Sequence, residues 1–131
     1  MKLEEIERIL LSLGREIRMD KQGFSFDLTK GVHVDQRGED FLMSSLVGRL
    51  SDVPECNYPN VIIGFLDMNH HIQPASVGIT IGDRDISISA TVLLDRESNE
   101  GSVKRSVEAL DLAIRAALSI IQHAHAESVV A

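Results

Sequence analysis

Between Ile86 and Leu94 an apolar residue stands at every second position. Ile86, Ile88, Ala90, Val92 and Leu94 alternate with Ser87, Ser89 and Thr91. A strict period of two predicts a β-strand with one buried face and one small polar face. The stretch before it behaves the same way. Val77, Ile79 and Ile81 alternate with Gly78, Thr80 and Gly82, and Gly82-Asp83-Arg84-Asp85 between the two reads as a hairpin turn. The period then changes. Val103, Val107, Leu110, Ile114, Ala117 and Ile121 step by four, three, four, three and four, which predicts a long helix with one apolar stripe. Ser102 is the expected N-cap of that helix, and the tail from His123 to Ala131 is expected to fray.

The first half has the same two periods. Leu3, Ile6, Leu10 and Leu13 fall on one face of a helix, with Glu4, Glu5 and Glu7 near its positive end and Gly14 at its close. Ile9 and Leu11 lie off that stripe. Ile17 and Met19, then Phe24, Phe26 and Leu28, then Val32 and Val34 alternate with polar residues and predict short strands joined by turns such as Asp20-Lys21-Gln22-Gly23. Phe41–Leu50 is mixed and predicts a strand with both faces partly covered. A proline-containing loop over 51–60 leads to a short helix carrying Val61, Ile62, Phe65 and Leu66, which Asn69 is expected to cap. The fold class is therefore α+β: an antiparallel sheet flanked by helices, in the order α-β-β-β-α-β-β-α.

Composition bounds the function. The chain has 131 residues, 44% hydrophobic and 25% charged, and is expected to form one domain, residues 1–131. No apolar run approaches the ~18 residues of a membrane span, and MKLEEIERILLSLG is too acidic and amphipathic for a signal peptide. A net charge of −7 argues against nucleic acid, which needs clustered Lys and Arg.

Chemistry is hard to place. His123 and His125 are two apart in a helix, ~200° around the axis, and cannot share one ion. His33 and Asp35 share a strand face, but two ligands do not make a zinc site. His70 and His71 are adjacent and diverge in any regular element. Cys56 lies in a loop between Pro54 and Pro59 with no activating signature, and Asp83 and Asp85 read as solvated turn acids. No nucleophile elbow or phosphate-binding glycine loop is present in the sequence. No metal, cofactor or catalytic residue is expected; a small metal-dependent enzyme on His33, His70 or His71 is the remote alternative.

The segments LVGRLSDVP (46–54), NVIIGFLDMN (60–69) and SVGITIGDRDISISATVLLD (76–95), in this order of elements, resemble the type III secretion chaperone superfamily, which includes Tir-chaperone-like proteins and the YbjN family. The resemblance covers residues 1 to about 122. It implies a non-enzymatic, cytoplasmic homodimer that holds an unfolded N-terminal stretch of a secreted effector, without nucleic acid or membrane. By the same resemblance the dimer interface falls on Val61, Ile62, Phe65 and Leu66, and the client-facing surface on Ile9, Leu11, Phe24 and Phe26. The 4% aromatic content and the strand after Gly14 sit closer to the YbjN branch, for which the implied role is regulatory, with no secreted client.

Overall fold

The computed structural model describes the backbone of residues 1–130 and the side chains of residues 1–125. The elements are helix α1 (Leu3–Ser12), strands β1 (Arg18–Met19), β2 (Gly23–Asp27), β3 (Gly31–Arg37) and β4 (Asp40–Arg49), helix α2 (Tyr58–Met68), strands β5 (Ser76–Ile81) and β6 (Ile86–Leu94), and helix α3 (Glu100–Val130). Two short 3-10 turns, Leu50–Asp52 and Glu55–Asn57, bridge β4 and α2. The expected α+β order holds, with four strands in place of three before α2; the stretch read at Ile17 and Met19 is the two-residue β1.

The six strands form one antiparallel sheet in the order β1-β2-β3-β4-β6-β5. Tight turns join β1 to β4. The chain then leaves through α2, returns on the far edge as β5, and turns inward at Gly82–Asp85 to place β6 beside β4, where Gly82 N–H donates to Asp85 O at 2.8 Å. Two edges remain: the very short β1 and the six-residue β5.

Alternation decides what is buried. Phe24, Phe26, Val32, Val34, Phe41, Met43, Ile88 and Val92 are almost wholly buried in one cluster with Ile6 and Leu10 of α1, Val61 and Phe65 of α2, and Leu110 and Ile114 of α3. All three helices therefore share one core with one sheet face, and the opposite face carries no helix. Local chemistry fixes the ends. Gly14 has φ +83, and the Arg15 N–H to Leu10 O and Gly14 N–H to Leu11 O bonds form the paired pattern that closes a helix on a left-handed residue. At Gly23 the backbone crosses so close to β3 that a β-carbon would collide with the Val34 carbonyl. The Asp20 carboxylate accepts from the N–H groups of both Gln22 and Gly23 at 2.8 Å, which shapes the expected turn.

Two expectations about α3 change. The N-cap of α3 is Asn99, whose side-chain oxygen accepts from Ser102 N–H at 2.9 Å; Ser102 sits inside the first turn. The helix also continues past His123 to Val130. Ala124 is buried and extends the apolar stripe by one more step of three beyond Ile121. Asn69 caps the C-terminal end of α2 as expected, with a helical φ of −60 and its side chain turned to β5. Strand β4 buries Phe41, Met43, Ser45 and Val47 on its helix side and leaves Leu42 half-buried and Leu46 exposed on the other. Its mixed composition arises because Leu42 and Leu46 point to the open side and because the pairing slips between Leu46 and Gly48.

Candidate protein-binding surface

Helix α2 is apolar almost all round but buries a single stripe. Val61, Phe65 and Met68 step by four and three into the core. Ile62, Ile63 and Leu66, about 100° or more further round, are 37%, 62% and 62% exposed. Pro59 stands as the second residue of the helix, where its missing N–H costs nothing. The Asn57 side-chain amide donates to Ala124 O at 2.8 Å and ties the start of α2 to α3. On its α3 side the helix borders a cavity of about 390 Å³ lined by Val61, Gly64, Ile120, His123 and Ala124. Gly64 keeps that side low. A β-carbon there would meet the Ile120 side chain at 3.4 Å, so a side chain, not a second backbone, approaches it.

The far end of α2 meets the sheet edge through Asn69. Its Oδ1 accepts from Val77 N–H at 2.8 Å and its Nδ2 donates to Val77 O at 3.0 Å. One amide side chain thus pairs with the backbone of β5 as another strand would. Val77 is buried beneath the helices, but Ile79 and Ile81, on the same strand face, are 38% and 81% exposed. Ile62, Leu66 and Asn69 are spaced by four and three along α2, so Ile62 and Leu66 share the stripe that ends at the β5 contact. The helix and the edge strand each leave apolar residues outward.

The residues expected to face a dimer partner or a client separate by burial. Ile62 and Leu66 are surface residues, whereas Val61 and Phe65 hold α2 to the core at 1% and 3% exposure. Leu11 is 52% exposed and Ile9 half-buried, whereas Phe24 and Phe26 have no exposed surface because their strand face lies in the core. Sequence reasoning missed Ile63, Ile79 and Ile81 as surface residues. The signal was a helix with more apolar residues than one stripe holds, followed by a β-alternation longer than α2 covers.

The polar groups singled out in the sequence lie apart among the described residues. His33 Nδ1 lies 3.2 Å from Asp20 Oδ2 and 3.4 Å from Ser25 Oγ, so both neighbours use the same ring nitrogen. Asp85 pairs with Arg49 at 3.3 Å, Cys56 is exposed, and His70 and His71 lie exposed in the turn after α2. Among the described residues no three His, Cys, Asp or Glu side chains are placed to hold a metal ion. Arg18 and Asp27 form a two-pronged pair at 3.0 Å on the open face. Hydrogen bonding to Arg18 holds the Asp27 carboxyl below its ordinary range, and the same contact raises the guanidinium. No described helix is long and apolar enough to cross a membrane.

No protein-family model and no curated protein matches the sequence. Solved structures do. YbjN from E. coli superposes with a TM-score of 0.70 at 14% identity, covering 94% of this chain and 93% of that one. A chain of the HopA1–SchA chaperone–effector complex gives 0.64 at 15% identity over 88% and 91%. A chain of the heterodimeric ExoU–SpcU complex from the type III secretion system of Pseudomonas aeruginosa gives 0.61 at 13% over 88% and 96%. The chain has the fold shared by YbjN and chains of these secretion complexes, as the element order implied.

Proposed function

We propose that this protein is a non-enzymatic binding adaptor of the type III secretion chaperone kind, acting in the cytoplasm. It pairs with a second copy through α2 and β5 and holds an extended N-terminal segment of a secreted client. The observation that carries this reading is the exposure of Ile62, Ile63 and Leu66 on α2 and of Ile79 and Ile81 on the open edge strand tied to it by Asn69, which we take together as one apolar ledge. Burial of apolar surface at ~25 cal/mol per Å² and strand addition at an edge both reward a protein partner. The likeness to chains of chaperone–effector complexes supports a protein client, and Ile9 and Leu11 on α1 offer a second apolar contact for it. The net charge of −7 suits a surface that keeps exposed apolar residues in solution.

The test is co-expression with the first ~100 residues of an effector encoded next to this chain's gene. Co-purification of a soluble complex is the expected outcome; failure with every such neighbour sinks the client. The specific observation favouring a second reading is the match to YbjN over 94% of the chain. On that reading the same ledge serves a regulatory protein without a secreted client, and isolation of the gene from secretion genes selects it.

A further inference from the structure

The two edges of the sheet are protected unequally. Strand β1 is two residues long and carries Arg18, paired with Asp27 of β2, so it offers an incoming strand little to pair with. Strand β5 runs Ser76-Val77-Gly78-Ile79-Thr80-Ile81 without a charge or a proline, and no bulge interrupts its pairing with β6. Short uncharged segments rich in β-branched residues pair readily with copies of themselves. Stable proteins blunt such edges with a charge, a proline, a bulge or a cover. Strand β5 has none of the first three.

The register shows which backbone groups the edge presents. Gly82 N–H donates to Asp85 O at 2.8 Å across the hairpin, so the backbone of Gly82 faces β6. That direction alternates along an antiparallel pair. Gly78 and Thr80 therefore face β6 as well, and Val77, Ile79 and Ile81 face outward. The two bonds between Asn69 and Val77 agree with this assignment. Val77 is thus engaged, whereas the outward N–H and C=O groups of Ile79 and Ile81 have no partner among the described residues. Asn69 is itself well anchored. Its N–H donates to Phe65 O at 3.0 Å, and Phe65 is buried, so the amide sits on a helix end rooted in the core.

We infer that Asn69 guards the β5 edge, keeping it from pairing along its length with β5 of a second copy of this chain. A primary amide offers one acceptor and two donors, enough to imitate the N–H and C=O of a neighbouring strand, and here it fills the place where an incoming ladder would begin. With Asn69 in place an incoming strand meets only Ile79 and Ile81, a run at the bottom of the usual range of strand lengths. Without it the open run extends from Val77 to Ile81, the length of an ordinary strand. The strand to be excluded is another β5 because nothing in this one opposes self-pairing: it is uncharged, and Ile79 and Ile81 are exposed on the same face. The inference goes beyond the adaptor reading, since every contact that carries it lies within one chain. It leaves the proposed α2–β5 pairing to side chains and to the free end of β5.

Amide hydrogen exchange and light scattering on the full chain test it. Exchange is measured on Leu66→Asp, which the adaptor reading makes a single copy, so that protection reports contacts within one chain. There Val77 is expected to exchange at least about tenfold more slowly than Ile81. Val77 exchanging as fast as Ile81 overturns the inference, and this comparison stands even if the Asn69 variant does not fold. Asn69→Ala in the otherwise unchanged chain is expected to form species larger than a dimer that grow with concentration. Adding Ile79→Lys to it places a charge on the edge and is expected to restore the size of the unsubstituted chain. Asn69→Ala that keeps the original size, or larger species that persist with Ile79→Lys, overturns the inference. A Leu66→Asp protein that stays paired removes the proposed interface of the adaptor and leaves the guard to be judged on Val77.

Discussion

Asn69 ends α2 and holds the sheet edge with the same side chain. Its two bonds to Val77 replace the pairing that β5 otherwise lacks on that side. Replacing Asn69 with Ala leaves the Val77 N–H and C=O without this partner and is expected to lower stability by ~1–3 kcal/mol in a denaturant titration. A loss below a few tenths would show that water substitutes for the amide. Asp27 makes a different kind of contact. Its folded-state affinity for protons is depressed by Arg18, so the pair's stabilising contribution is present above the unfolded carboxylate range and is lost as pH falls through the lower folded value. Exposure to solvent keeps that contribution small, so the check is a carboxyl NMR titration, with Asp27 titrating below the ordinary Asp value of ~3.9 and returning toward it in Arg18→Ala. At this scale the sequence was only partly legible. Gly14 and the Asp20 turn follow from residue type alone, since left-handed backbone and Asx turns have strong chemical preferences. Ser102 and Asn99 are both good caps three residues apart, and Asn69 bonds a strand eight residues on; tertiary packing decides both.

Among the elements, α2 and β5 carry the account. Phe65 and Leu66 are adjacent on α2 yet differ in exposure, at 3% against 62%, and their substitutions are expected to separate. Phe65→Ala should cost ~3–5 kcal/mol of folding stability, as expected for deleting a buried aromatic. Leu66→Asp should leave the thermal midpoint nearly unchanged and halve the mass measured by sedimentation. A Leu66→Asp protein that stays paired would remove α2 as the interface. Periodicity marked both helix stripes and the β5–β6 hairpin, because burial of one face imposes the 3.6 and 2.0 repeats directly. It did not separate Val61 and Phe65 from Ile62 and Leu66, since all four are apolar and only the position of the core distinguishes them. Strand β4, expected to be partly covered on both faces, carries Leu42 half-buried and Leu46 exposed on the open one.

For the whole molecule, helices on one sheet face leave two apolar features outward: the exposed residues of α2 and β5, and Leu11 beside Ile9 on α1. Their separation suits a partner that wraps the molecule as an extended chain, not one that docks as a rigid body. The acidic balance gives this scale its own prediction. If the client is basic, its capture rate falls as salt rises from ~0.05 to ~0.5 M while a complex already formed persists, because steering acts over the ~10 Å screening length and the buried contacts are apolar. Equal salt sensitivity of both would assign the binding to charge. The most direct measurement is native mass spectrometry of the chain co-expressed with the N-terminal segment of a neighbouring effector. The account predicts one species containing two copies of this chain and one client segment. This chain flying alone, or in a one-to-one complex that keeps its mass in Leu66→Asp, would contradict it.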